Sequence, residues 1–220
     1  MSNREKKEYK DNWIDRLFIA LFSRKMAKAL GTKTRLRGYD GFVDLSKQIM
    51  TGRNPQQQQE LVEKVLKSLI PPCVVFLIRT FFPPSKWVCE FNATFATILF
   101  EWLVGKSEVR EVEIVGENGE IRRQKSGVYI HKCRYLEASG CVAMCVNMCK
   151  LPTQKFFTEY LRIPLTMTPN FEDFSCEMVF GKSPPPFTSE AVYNQPCLQD
   201  TCSQAVVSHP PRPCSKIRVV

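Results

Sequence analysis

The segment CRYLEASGCVAMCVNMCK, residues 133–150, holds four of the chain's ten cysteines, Cys133, Cys141, Cys145 and Cys149. The last three recur every fourth residue. Thiolates are ligands for soft metal centres and partners for disulfides, and protonated thiols pack as small hydrophobes. On one straight α-helix the three would share a stripe, with Cys141 and Cys149 about 12 Å apart along the axis. Two sulfurs on a single zinc stand at most about 4.6 Å apart. One ion therefore cannot collect all three from a regular helix. A wider centre could, or a break in the backbone, for which Gly140 and Pro152 offer places only at the ends. The spacing C-x7-C-x3-C-x3-C-x2-P is of the same kind as the ferredoxin cluster run without matching it. From spacing alone, metal centre, core packing and redox pair all stay open.

The other reactive residue types add less. Cys176 lies in an ordered-looking stretch, FEDFSCEMVFG, as either a ligand or a core thiol. Cys197, Cys202 and Cys214 sit in a loose tail, where a stray pair is the plain expectation. Two histidines, His131 and His209, are too few and too scattered for a Ser–His–Asp or Cys–His arrangement. Glu172 and Asp173 are weak candidates for proton donors, and they read more simply as turn residues after Pro169-Asn170.

These residues need elements to hold them. A chain of 220 residues is long enough for a substantial core. The first half reads as about five helices. Asp11 is the expected cap of the first and Gly31 its stop. A second ends at Gly52. The third is capped by Asn54 with Pro55 in its first turn. Apolar helices are expected near 73–82 and 86–104, the latter capped by Ser85 and apolar almost all round, fit to line an apolar cavity. From residue 106, VREVEIV, the Asn-Gly turn signal in ENGE, EIRRQ and GVYIHKC predict antiparallel strands. A short helix around TQKFFTEYL and a strand in FEDFSCEMVFG follow, then a proline-rich tail. The expected class is α+β: an N-terminal helical bundle packed with a C-terminal part carrying a small antiparallel sheet and the Cys-rich helical segment. The divisions are a flexible basic start (1–8), a helical region (9–105), a hairpin and Cys-rich region (106–186) and an irregular tail (187–220).

Net charge is +9, with basic residues concentrated near the start. No aromatic-interleaved basic pattern, zinc-finger spacing or P-loop accompanies it, so no nucleic-acid partner is expected. No secretory signal opens the chain, and its apolar runs are too short and interrupted to span a bilayer. The first helix, with Trp13, Phe18 and Phe22 beside Arg16, Arg24, Lys25 and Lys28, suits either an interfacial role or an ordinary core face with a solvated basic side.

WLVGKSEVRE, VYIHKCRYLEASGCVAMCVNMCKLPTQKFF, PLTMTPNFEDFSCEMVFGKSPPP and QPC together resemble the plant DWARF27 family of carotenoid isomerases. The likeness runs from about Tyr9 to Cys202. It implies an iron-containing plastid enzyme that reversibly converts all-trans-β-carotene to 9-cis-β-carotene on the way to strigolactones. It implies iron, as a single ion or an iron–sulfur cluster, on Cys133, Cys141, Cys145 and Cys149, with Cys176 as the alternative ligand. Peripheral docking on the plastid membrane, an electron donor of unknown identity and a downstream carotenoid cleavage dioxygenase follow from the same likeness. The Ser- and Arg-rich transit peptide of a plastid precursor is not seen, which fits a mature or shortened form. Rotation about a polyene double bond would follow either one-electron exchange with iron or protonation by an acid such as Glu172 or Asp173. Two other functions fit the same residues: an iron–sulfur redox carrier without isomerase activity, and a non-enzymatic carotenoid- or lipid-binding protein.

Overall fold

The computed structural model describes residues 9–115, 119–198, 201–202 and 212–217. The basic start, most of the Asn-Gly turn and His209 lie outside them. Helices come first: α1 (Trp13–Leu30), α2 (Gly38–Met50), α3 (Pro55–Lys67), α4 (Pro72–Phe81), α5 (Lys86–Leu99) and α6 (Glu101–Val104). Strands β1 (Ser107–Val115) and β2 (Ile121–Ile130) form the hairpin, and α7 (Arg134–Ser139) and α8 (Val142–Met144) lead into a π-helical turn, Cys145–Lys150. Then come α9 (Leu151–Lys155), a second π-helical turn Phe156–Tyr160, β3 (Leu165–Pro169) and β4 (Cys176–Phe180). The class is α+β, as the alternating and helical patterns predict.

Local chemistry explains the helix starts. Asn54 accepts from the Gln57 amide while the Gln57 side chain accepts from the Asn54 amide, a reciprocal capping box with Pro55 inside the first turn. Ser85 caps α5 through the Val88 amide. For α1 the cap is Asn12, not Asp11: Asn12 Oδ1 takes the Ile14 and Asp15 amides. Asp11 is used elsewhere. Its carboxylate receives both guanidinium arms of Arg134, at 2.5 and 3.1 Å.

The antiparallel sheet has the order β1-β2-β4-β3. The segments EIRRQ and GVYIH share one continuous strand, Ile121–Ile130, and a bulge in it, Lys125 and Ser126 opposite Glu111 of β1, keeps the pairing in step. β3 is an addition: PLTMTP reads from sequence as a proline-flanked turn, yet Leu165, Thr166 and Met167 are buried against β4. Proline is tolerated there because it stands at the end of an edge strand.

Helical and sheet parts share one apolar core that runs from Ile19 to Ile217. Arg134 joins the two halves. Almost buried at 7% exposure, it lies 3.7 Å over the Tyr39 ring and donates to the Trp102 carbonyl. A guanidinium this desolvated depends on its partner carboxylate. Asp11→Ala should lower folding stability by about 3 kcal/mol, read as a lower urea midpoint; an unchanged midpoint would mean that the pair contributes nothing net.

Candidate functional site

Two cavities meet inside the molecule. The larger, about 600 Å³, is enclosed by α1, α3, α4, α5 and the helical run 142–160. Its walls are mostly Phe, Leu, Ile and Val side chains with a few uncharged polar ones, and among the described residues no Asp, Glu, Lys, Arg or His lines it. Two of the polar groups are turned back onto the protein: Ser46 donates to the Phe42 carbonyl, and Asn92 to the Val88 carbonyl. Such a space takes an apolar ligand of substantial size.

The smaller cavity, about 10 Å³, lies beneath it and is lined by Cys133, Cys145, Cys149 and Cys176 together with Lys150. Cys149 and Tyr135 line both spaces. The thiol neighbourhood thus forms part of the wall of the apolar chamber.

Three elements fix the four thiols. Cys133 caps α7, its sulfur accepting from the Leu136 amide at 3.5 Å. Its own N–H donates to the Phe174 carbonyl at 2.7 Å. Phe174 is held at φ 65°, a left-handed conformation that bulky residues rarely adopt and that tertiary packing must impose. Cys176 opens β4. Cys145 and Cys149 come from the π-helical turn, where wider winding makes four residues a little less than one turn, so both face the same way.

Cys141 does not join them. It stands just outside the helix in extended backbone (φ −137°, ψ 120°), so the straight-helix stripe is not formed. It lies instead near Cys202 and Cys214; burial is the main cause that raises its thiol, and these two neighbours add to it. Of the ligand set implied by resemblance, the structure gathers Cys133, Cys145 and Cys149, adds the alternative Cys176, and puts Cys141 with the tail thiols.

Burial raises all four gathered thiols. Cys133 is pushed to about 11 and Cys149 to about 12, chiefly by desolvation, while Cys145 and Cys176 stand well above the ordinary thiol value. Lys150 acts in the opposite sense on Cys145, Cys149 and Cys176. Its ammonium bonds Glu190, Gln154 and the Met167 carbonyl.

Four thiols around one space have the donor chemistry of a thiolate-bound iron group. Among the described residues, no three His, Cys, Asp or Glu side chains are arranged to hold a metal ion. The four therefore match such a group in chemistry and in sharing one cavity, without being drawn together on a single point.

Glu172 and Asp173 lie outside both cavities, exposed in the β3–β4 turn. Asp173 accepts from the Ser175 amide, which holds its carboxyl below the usual range, so it stays ionised rather than carrying a proton to donate. His131 is on the surface beside Glu108. Sequence reasoning missed Lys150, Tyr135 and Glu190. A lysine flanked by Cys149 and Leu151 in an otherwise apolar run was the available signal for the first. In the metal-free chain, iodoacetamide should modify exposed Cys73 about 100-fold faster than Cys133, Cys145 or Cys176. Peptide mass spectrometry reads the rates, and similar rates would mean that the thiol cavity is open to solvent.

A model of the family described as "Beta-carotene isomerase D27-like, C-terminal" matches residues 102–189, which include all four gathered thiols. The chain is 42% identical over 191 residues to the "Beta-carotene isomerase D27, chloroplastic" of Medicago truncatula, covering 87% of this chain and 74% of that one. It is 39% identical over 200 residues to the protein of the same name from Arabidopsis thaliana, covering 90% and 74%. No solved structure matches it. With this much identity over this much of both relatives, the chain belongs to the D27-like β-carotene isomerase family.

Proposed function

We propose that the protein is a plastid carotenoid cis/trans isomerase that interconverts all-trans- and 9-cis-β-carotene, with iron held by Cys133, Cys145, Cys149 and Cys176. The observation that carries this reading is the shared wall, where Cys149 and Tyr135 face both the thiol cavity and a large chamber with no charged lining. The names of the relatives support the substrate and the compartment.

A C40 polyene carries no group to hydrogen-bond, so the chamber binds it by apolar burial and shape. The aromatic and aliphatic walls exclude water and fix which bond lies against Cys149. Rotation about a conjugated double bond at about one turnover per second needs a barrier near 17 kcal/mol. Thiolate-held iron supplies one-electron chemistry when bound. The protein's own part is to keep the polyene beside that centre, to leave room for one arm to swing, and, among the described residues, to place no carboxylic acid or histidine in the chamber walls. Ionised Asp173 and exposed Glu172, both remote from the chamber, do not favour the acid route. Iron binding must displace protons from four thiols that burial keeps protonated, and Lys150 offsets part of that cost by lying beside the resulting negative charge.

The chain reconstituted with iron should raise the 9-cis fraction of supplied all-trans-β-carotene, read by chromatography. Cys149→Ser and Cys176→Ser should lose iron and slow isomerisation more than about tenfold, while Cys141→Ser keeps its iron. Bound pigment with an unchanged cis/trans ratio would sink the isomerase reading. Equal iron loss in Cys141→Ser would return that residue to the ligand set.

A membrane surface is the proposed source of substrate. Among the described residues no helix is long and apolar enough to cross a bilayer. Five of the exposed apolar residues, Leu21, Phe82, Trp87, Phe91 and Phe95, border the chamber. Phe82, Trp87, Phe91 and Phe95 stack in succession, with centroids 6.4, 5.8 and 6.0 Å apart, and Phe76 and Phe81 on α4 are also exposed. On α1, Trp13 and Leu17 face out, while Phe18 and Phe22 turn inward against Trp102. The interfacial face of α1 is therefore Trp13 and Leu17 rather than the two phenylalanines. Trp87→Asp combined with Phe91→Asp should weaken flotation with anionic lipid vesicles at least about tenfold. Unchanged flotation would mean that this face is not the docking surface.

A further inference from the structure

The remaining tail thiols form a second neighbourhood that the isomerase reading does not use. Backbone contacts assemble it. Pro196 and Pro213 pair in an isolated antiparallel bridge, and the Cys214 amide donates to the Gln195 carbonyl at 2.9 Å. That pairing brings the two arms of the tail together, with Cys214 opposite Gln195 and Cys197 opposite Arg212, so the two cysteines stand diagonally across the bridge. The Cys202 amide donates to the Leu198 carbonyl at 2.8 Å, closing a turn that carries Cys202 back towards Cys197. Thr201 Oγ1 donates to the Gly140 carbonyl at 3.0 Å, and a Cβ on Gly140 would stand 2.9 Å from the Thr201 Cβ. This close approach lays the turn against the start of the Cys-rich helical segment. The Cys197 thiol interacts with both Cys214 and Cys202.

The two thiol neighbourhoods differ in kind. The first lines a cavity together with a buried ammonium. In the second, the Cys197 thiol interacts with those of Cys214 and Cys202, on two chain arms joined among the described residues by a bridge and backbone hydrogen bonds. Beyond Cys214 the chain still has structural work to do: Ile217 is buried at 1% exposure, and the Lys216 carbonyl accepts from Asn147 Nδ2 at 2.8 Å. Asn147 lies between Cys145 and Cys149 on the π-helical turn. A link between the tail arms would therefore be felt directly at the thiol cavity's own helix.

We propose that Cys197 and Cys214 are a thiol–disulfide exchange site whose closure locks the tail onto the Cys-rich helical segment. Its co-substrate is a disulfide, either a small one such as oxidised glutathione or one on a dithiol oxidoreductase. The thiolate of one cysteine attacks the incoming disulfide, forms a mixed disulfide and releases one thiol. The thiolate of the other attacks that mixed disulfide, forms Cys197–Cys214 and releases the second thiol. The pair is oxidised by two electrons and the incoming disulfide is reduced to two thiols, the two cysteine protons passing to them. The inference stands independently of the isomerase activity.

The test is to equilibrate the full chain in glutathione buffers of graded ratio, quench in acid, alkylate and map the peptides. A Cys197–Cys214 cross-link should dominate at oxidising ratios, with Cys73 and Cys89 still free. It should vanish in Cys197→Ser and in Cys214→Ser and persist in Cys202→Ser. Proteolysis of the tail should slow at least about tenfold in the oxidised chain, since closure removes open states of the segment. Oxidised and reduced glutathione alone distinguish the site from a metal site. A dominant cross-link elsewhere, none even at the most oxidising ratio, or stoichiometric zinc held by these thiols would overturn the proposal. The wild-type peptide map decides the matter even if the serine variants fail to fold.

Discussion

A lysine ammonium at 1% exposure has to be answered on every side, and around Lys150 the answers come from distant parts of the chain. Glu190 supplies the countercharge from the start of the tail, Gln154 from one helical turn on, and the Met167 carbonyl from β3. Gln154 also accepts from the Met167 amide at 2.7 Å, so the same amide side chain fixes the edge strand. Removing any one partner would leave a polar group stranded where water does not reach. This single charge thus holds the tail, the edge strand and the π-helical turn in one arrangement, with four thiols gathered beside it. It also sets the sign of the local field. A cavity of protonated thiols next to a fixed cation is a poor place for further cations to approach bare, and a good one for a centre that carries thiolate charge with it.

The chamber above follows the opposite rule. Among the described residues no charged side chain lines it, and Ser46 and Asn92 are turned back onto the backbone. Tyr135 belongs to both environments. Its ring faces the chamber and packs on Phe42 at 5.8 Å, and its hydroxyl interacts with Ser46. Burial raises its ionisation far beyond reach at neutral pH, so it serves as a neutral wall between the thiol cavity and the chamber. The division keeps charge on one side and polyene-compatible surface on the other, a single side chain apart.

Much of this frame is legible in the residues. Asn54-Pro55 and Ser85 declare their caps, alternating VREVEIV declares a strand, and the nearly all-apolar helix expected over 86–104, which the structure divides at Phe100 into α5 and α6, declares a cavity wall. What escaped are features decided by long-range partners. Asp11 has the chemistry of a cap, but a buried guanidinium 123 residues away competes for it and wins, leaving Asn12 to cap α1. PLTMTP looks like a turn until β4 offers it an edge to pair with. Phe18 and Trp13 are equally hydrophobic on paper; Trp102 decides that the first is stacked inside and the second left out.

The cysteine row shows the same principle at its sharpest. Spacing of four predicts one face of a helix, and on a continuous α-helix Cys141, Cys145 and Cys149 would have belonged together. Gly140, at φ 58°, ends α7 in a left-handed turn, and Cys141 follows in extended backbone before the next helix begins. One residue outside the helix is enough to aim a side chain at a different neighbourhood, because an extended residue no longer obeys the helical rotation. The π-helical winding that follows keeps the other two aligned. Period alone could not separate these cases, since it describes residues already inside an element and says nothing of where the element starts. The boundary between Cys141 and Val142 therefore divides the thiols, sending one to the tail and leaving two to face Cys133 and Cys176.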